Sequence, residues 1–98
     1  MCKVAVIFRK DRDGWRDVFA LFPELPADLG GLHCTCYQHV GQHCVADYEG
    51  CIACSDAASP EEYADLMAEL KQRGYILNVK RRASWAMHDK RRQLAARQ

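Results

Sequence analysis

Ser59-Pro60-Glu61-Glu62-Tyr63-Ala64-Asp65-Leu66-Met67-Ala68-Glu69-Leu70-Lys71-Gln72-Arg73-Gly74-Tyr75-Ile76-Leu77-Asn78-Val79 is the stretch on which the fold turns. Ser59 can accept a bond from the Glu62 N–H while the Glu62 carboxylate reaches back to the Ser59 N–H. Pro60 falls at the first helical position, where a missing N–H costs nothing. A helix should therefore start here. Tyr63, Leu66, Met67 and Leu70 recur at i, i+3, i+4 and i+7, which gives one apolar stripe. Lys71 and Arg73 suit a helix C-terminus, and Gly74 suits a left-handed cap, so the helix should end near Arg73. Tyr75, Leu77 and Val79 then alternate with Ile76 and Asn78, the period of a strand. A one-striped helix that feeds directly into a strand needs a sheet to lie on.

The residues upstream supply that sheet. Val4, Val6 and Phe8 alternate with Lys3, Ala5, Ile7 and Arg9. Asp11-Arg12-Asp13-Gly14 signals a turn. In residues 16 to 22, Val18, Ala20 and Phe22 face one way and Phe19 and Leu21 the other, so an antiparallel hairpin is expected. Pro23, Pro26 and Gly30-Gly31 punctuate the return to a third strand over residues 32 to 39. There Leu32, Cys34 and Cys36 alternate with His33, Thr35, Tyr37 and His39. No period holds over residues 41 to 58, which read as a loop with a short strand near 48 to 53. Residues 83 to 97 suit a polar helix anchored by Trp85, Met87 or His88, and Leu94. The expected fold is α+β: a small, mostly antiparallel sheet of three to four strands with one packed helix and a C-terminal polar helix. Val4, Val6, Phe8, Val18, Ala20, Phe22, Leu66, Leu70, Leu77 and Val79 would form its core. Residues 1–80 are expected as a single domain and 81–98 as a basic helical extension.

At 98 residues, 49% hydrophobic and 28% charged, the chain has globular composition and the length of one domain. The net charge of +1 conceals three unlike segments. Residues 1 to 16 carry five bases and two acids, residues 17 to 70 ten acids and no Lys or Arg, and residues 71 to 98 nine bases and one acid. Such segregation gives the protein a field that its partners can sense. The N-terminal apolar run, residues 4 to 8, is shorter than the ~7–15 residues of a signal-peptide core or the ~18–20 of a membrane span. A cytoplasmic protein without membrane association is expected, with its cysteines reduced.

Five of the six cysteines lie within residues 33 to 54, together with His33, His39 and His43. Cys34-Thr35-Cys36 and Cys51-Ile52-Ala53-Cys54 form two short pairs separated by 14 residues, a pattern that could hold zinc. The other reading makes Cys34 and Cys36 ordinary buried small residues. Cys44 with His39 or His43 could form a thiolate pair. No nucleophile elbow, phosphate loop or substrate-orienting motif accompanies it, so an enzyme is not expected. Tyr37, His39, His43, Asp47, Tyr48 and Glu49 make a candidate recognition loop, or a hydrogen-bonded turn that positions it. In the tail, Lys80, Arg81, Arg82, Lys90, Arg91 and Arg92 could hold phosphate while Trp85 stacks on a base. A solvated helix explains the same charges, and no nucleic-acid-binding signature accompanies them.

Several segments together carry a resemblance: Val6-Ile7-Phe8-Arg9-Lys10, Ala20-Leu21-Phe22-Pro23-Glu24, Tyr37-Gln38-His39-Val40-Gly41-Gln42-His43, Ala46-Asp47-Tyr48, Pro60-Glu61-Glu62-Tyr63 and Arg73-Gly74-Tyr75. Over roughly residues 6 to 80 the chain resembles a family of short, functionally uncharacterised bacterial proteins carried by phages and other mobile elements. The resemblance implies a small accessory protein and supplies no catalytic residues. It also implies inhibition of a host defence system, in the manner of anti-CRISPR proteins. The leading expectation is a non-enzymatic binding protein that contacts a protein partner through its acidic middle segment and the loop from Tyr37 to Tyr48. A zinc-stabilised module and a small nucleic-acid binder using the basic tail are the alternatives.

Overall fold

A computed structural model describes residues 3–11, 18–38 and 43–97, with the backbone alone for His43 and Cys44. Six strands and three helices occur among these residues: β1 (Val4–Asp11), β2 (Val18–Pro26), β3 (Cys34–Tyr37), β4 (His43–Ala46), α1 (Tyr48–Ala53), β5 (Ser55–Ala57), α2 (Pro60–Gln72), β6 (Leu77–Val79) and α3 (Trp85–Ala96). The α+β class and mostly antiparallel sheet are as expected, but three to four strands was too few. Residues 41 to 58 contain much of what was missing, because β4, α1 and β5 stand where a loop was expected.

The sheet order is β4-β3-β2-β1-β5, and β6 also pairs with β1. β1 and β2 pair antiparallel with Ile7 opposite Leu21 and Phe8 opposite Ala20. The turn expected between them lies largely outside the described residues. Ladder pairing of β2 with β3 shifts register between Phe22 and Pro26. Pro23 sits in this irregularity and has no N–H to give a neighbouring strand. The free edge of β1 is divided: β6 runs parallel to Val4–Val6, and β5 runs antiparallel to Arg9–Asp11.

Both faces of the sheet are covered. On the first, Val6, Phe8, Ala20, Phe22 and Tyr37 pack with Leu66 and Leu70 of α2. Burying each large apolar side chain contributes about 1.5–3 kcal/mol. The stripe read from the sequence is thus the docking face of α2. Its ends also match: Ser59 and Glu62 form the reciprocal capping box, Arg73 is the C-cap, and Gly74 has φ +99°. Val79 departs from the expected core. It is 38% exposed, because β6 is an edge strand.

On the second face, Ile7, Phe19, Leu21, Cys34, Cys36 and Ala46 form a separate cluster, covered partly by Tyr48, Cys51, Ile52 and Ala83. Tyr48, Cys51 and Ile52 fall at i, i+3 and i+4, so residues expected as a short strand wind into α1 to place all three on this cluster. Arg9 holds the end of α1, donating Nη2 to the Ile52 carbonyl at 3.1 Å and Nε to Ser55 Oγ at 2.9 Å.

α3 lies on the same side, capped by Ser84, whose side chain accepts from the Met87 N–H. Its buried residues are Arg91 and Ala95, whereas Trp85, expected as an anchor, is 78% exposed. Arg91 takes the anchoring role by donating Nε to the Gly31 carbonyl at 2.8 Å and Nη1 to the Pro23 carbonyl at 2.9 Å. Acid-rich α2 and base-rich α3 therefore flank the sheet from opposite sides. Among the described residues, no helix is long and apolar enough to cross a membrane.

Candidate functional site

The second face ends in a depression where the two candidate groups of the sequence meet. Leu32, Asp47, Tyr48 and Glu49 line one side, and Trp85, His88, Arg91 and Arg92 the other, around about 170 Å³. The approach of these distant segments has a local cause. Tyr48 Oη accepts a hydrogen bond from the Ala83 N–H at 2.8 Å, which ties the start of α1 to the chain entering α3. The Tyr48 and His88 rings then meet edge to face with centroids 4.9 Å apart.

His88 joins this ring contact to the buried guanidinium. Arg91 Nη1 lies 2.7 Å from His88 Nδ1. Because a guanidinium can only donate, Nδ1 must accept, which requires a neutral imidazole carrying its proton on Nε2. Burial lowers the His88 pKa below its ordinary value, and the charges of Arg91 and Arg92 lower it further. The imidazole is thus suited to its acceptor role.

The rim is apolar and open. Trp85 is 78% exposed and Leu32 68% exposed, while Asp47, Glu49 and Arg92 bring charge of both signs. Leu32 and His88 were not singled out as binding residues from the sequence. Their only signals were an apolar side chain beside Gly30-Gly31 for Leu32 and, for His88, a place as an alternative anchor of the polar helix.

The remaining candidates fall elsewhere. Tyr37 is fully buried in the first core, where its hydroxyl donates to Glu69 Oε2. His39 and the side chain of His43 lie outside the described residues. Cys34 and Cys36 are buried in the second core, Cys51 is half-buried beside it, and Cys54 is exposed at the C-cap of α1. Burial raises the Cys34 thiol to about 11. No group of three or more His, Cys, Asp or Glu side chains gathers to hold a metal among the described residues.

In the tail, Lys80, Arg81 and Arg82 are exposed. Lys90 Nζ lies 3.7 Å from Glu24 Oε2, and Arg92 Nη1 lies 3.6 Å from Asp89 Oδ1. Arg91 is consumed by backbone carbonyls. The tail's bases thus divide into an exposed group before Trp85 and a group within α3 that meets protein acceptors.

No family model matches the chain, and neither a curated protein nor a solved structure shows significant similarity to it.

Proposed function

We propose that the protein acts by binding another protein, with the depression between α1 and α3 as its contact surface. The observation that carries this reading is the exposed Trp85 beside exposed Leu32, at the rim of a depression of about 170 Å³. Small-molecule sites usually need ~300–1,000 Å³, so this one suits a single inserted side chain better than a metabolite. Trp, Tyr and Arg are the residue types enriched where binding energy concentrates. Asp47 and Glu49 favour a partner whose apolar knob is flanked by basic groups, as expected from the acidic middle segment. Under the resemblance to phage and mobile-element accessory proteins, that partner is a component of a host defence system and binding inhibits it.

The test compares capture of interacting proteins by the wild-type chain with capture by Trp85→Ala and Leu32→Ala. Both positions are exposed, so the variants should keep the wild-type melting temperature. One identified partner should bind at least about tenfold more weakly to each variant, as expected for central contacts. Equal capture by wild type and both variants would overturn the reading. Glu49→Gln should mainly slow association and reduce its salt dependence.

A further inference from the structure

A second concavity lies at the opposite edge of the sheet, and its origin is topological. Next to Val6, the Lys80 N–H donates to the Val6 carbonyl at 2.8 Å. Next to Phe8, the Ala58 N–H donates to the Phe8 carbonyl at 3.1 Å. From these two points the chain departs in different directions, into α2 after Ala58 and toward α3 after Lys80. A crevice of about 470 Å³ opens between the departing segments, with Phe8 among its lining residues. It stands at the carboxyl end of β6, where the parallel pairing of β1 gives way to an antiparallel neighbour.

The walls define the chemistry. Phe8 and Tyr63 stack with centroids 4.2 Å apart, and Pro60 and Val79 extend the apolar surface. Lys80 and Arg81 supply two adjacent positive charges at one lip. The nearby acid Glu62 is compensated, because its carboxylate lies 2.8 Å from Lys10 Nζ and accepts from the Ser59 N–H. An aromatic wall beside a pair of cations matches a flat ring that carries a compact anion. The volume falls within the ~300–1,000 Å³ usual for small-ligand sites.

We infer that this crevice binds a nucleoside 5′-monophosphate unit, with its phosphate at Lys80 and Arg81 and its base against Tyr63 and Pro60. The unit is either a free nucleotide or the 5′-phosphorylated end of a single strand. Aromatic side chains accept any base by stacking, and paired cations hold the phosphate. This site is separate from the Trp85 depression and does not depend on the protein-binding reading.

The test is an amide NMR titration of the full chain with 5′-AMP, 5′-GMP, 5′-CMP and 5′-UMP. Adenosine, inorganic phosphate and a 5′-phosphorylated pentanucleotide serve as further probes. At least one mononucleotide, or the pentanucleotide, should cause saturable shifts in residues 57 to 63 and 79 to 81. Adenosine and phosphate alone should bind at least about tenfold more weakly, since each retains half of the contacts. Joint replacement Lys80→Ala and Arg81→Ala should weaken binding by about tenfold or more, with the fold intact because both are exposed. Trp85→Ala should leave it unchanged. Tighter binding of the pentanucleotide would identify a strand end, and tighter binding of a mononucleotide a free metabolite. Absence of saturation at millimolar concentration with every phosphorylated nucleoside probe, shifts confined to other residues, or an undiminished affinity in the double variant would overturn the assignment.

Discussion

Arg91 and Gly31 are 60 positions apart and meet at 2.8 Å, where the guanidinium Nε donates to the glycine carbonyl. The contact is tight on both sides. Gly31 has φ +69°, and a Cβ there would lie 2.9 Å from the Arg92 Cα. The glycine thus accepts a left-handed backbone and lets α3 approach closely. The buried arginine in turn satisfies the carbonyls of Gly31 and Pro23.

Truncating this arginine should be severe. Arg91→Ala leaves those carbonyls without their cationic donor and opens a void, so a loss of about 3 kcal/mol is expected. Arg91→Lys keeps the charge but loses the planar fork, and should fall between the two. Urea denaturation measures both; a loss under about 1 kcal/mol for Arg91→Ala would show that α3 is held mainly by other contacts.

Mild acid should loosen the same helix. The folded-state pKa of His88 is lowered from its ordinary 6.5, chiefly by burial and then by Arg91 and Arg92, against weaker opposite effects from Glu49 and Asp89. The unfolded chain therefore binds the proton more readily, and the stabilising contribution is complete above 6.5. It is lost as pH falls through the lower folded value. Proton uptake also removes the Nδ1 acceptor facing Arg91. Amide exchange in residues 85 to 96 should accelerate below that range. An NMR titration of His88 with a midpoint at or above 6.5 would contradict the mechanism.

Glu62 should titrate at much lower pH. Its hydrogen bond with Lys10, followed by bonding to Ser59, brings its pKa from 4.5 to about 2. A carboxyl depressed in the folded state contributes stability above its unfolded value, and that stability declines as pH falls from 4.5 toward 2. Glu62→Gln should flatten this part of the acid-denaturation curve. High salt should reduce the effect, since the pair with Lys10 is solvent-accessible. An acid limb identical in wild type and Glu62→Gln would refute the assignment.

The legible parts of the fold are those whose determinants are close in sequence. Ser59, Pro60, Glu62 and Gly74 set both ends of α2 within a few residues of where they act, and strand alternation separates Val6 and Phe8 from Ile7. α1 was not legible because the groups that secure it are remote. Its packing surface includes Ile7 and Leu21, and its final turn is held by Arg9, 43 residues from Ile52. The candidate site shows the same limit. Tyr48, Glu49, Trp85 and Arg92 each carried a local signal, but their shared depression depends on the Tyr48–Ala83 bond across 35 residues. Arg91 shows how charge pattern alone can mislead: one arginine in a basic tail is a core residue, and only the carbonyls facing it reveal this.

The cysteines should differ sharply in reactivity. Cys34 is fully buried and its thiol is raised to about 11, first by desolvation, with nearby Arg91 opposing the rise. At neutral pH almost none of it is thiolate, and the thiolate is the species that attacks electrophiles. Cys54 is exposed at the end of α1. Under native conditions iodoacetamide should therefore label Cys54 well before Cys34, and peptide mass mapping can follow each site separately. Denaturant should remove the difference, because the protection of Cys34 comes from the fold. Replacing Arg91 with Ala should also speed Cys34 labelling by loosening α3, since Arg91 lies near enough for its charge to act on this thiol; the lost positive charge would act the other way by raising the thiol pKa further. Acceleration would therefore report greater access rather than greater ionisation. Equal labelling of Cys34 and Cys54 in the native chain would mean that the second core is open to solvent.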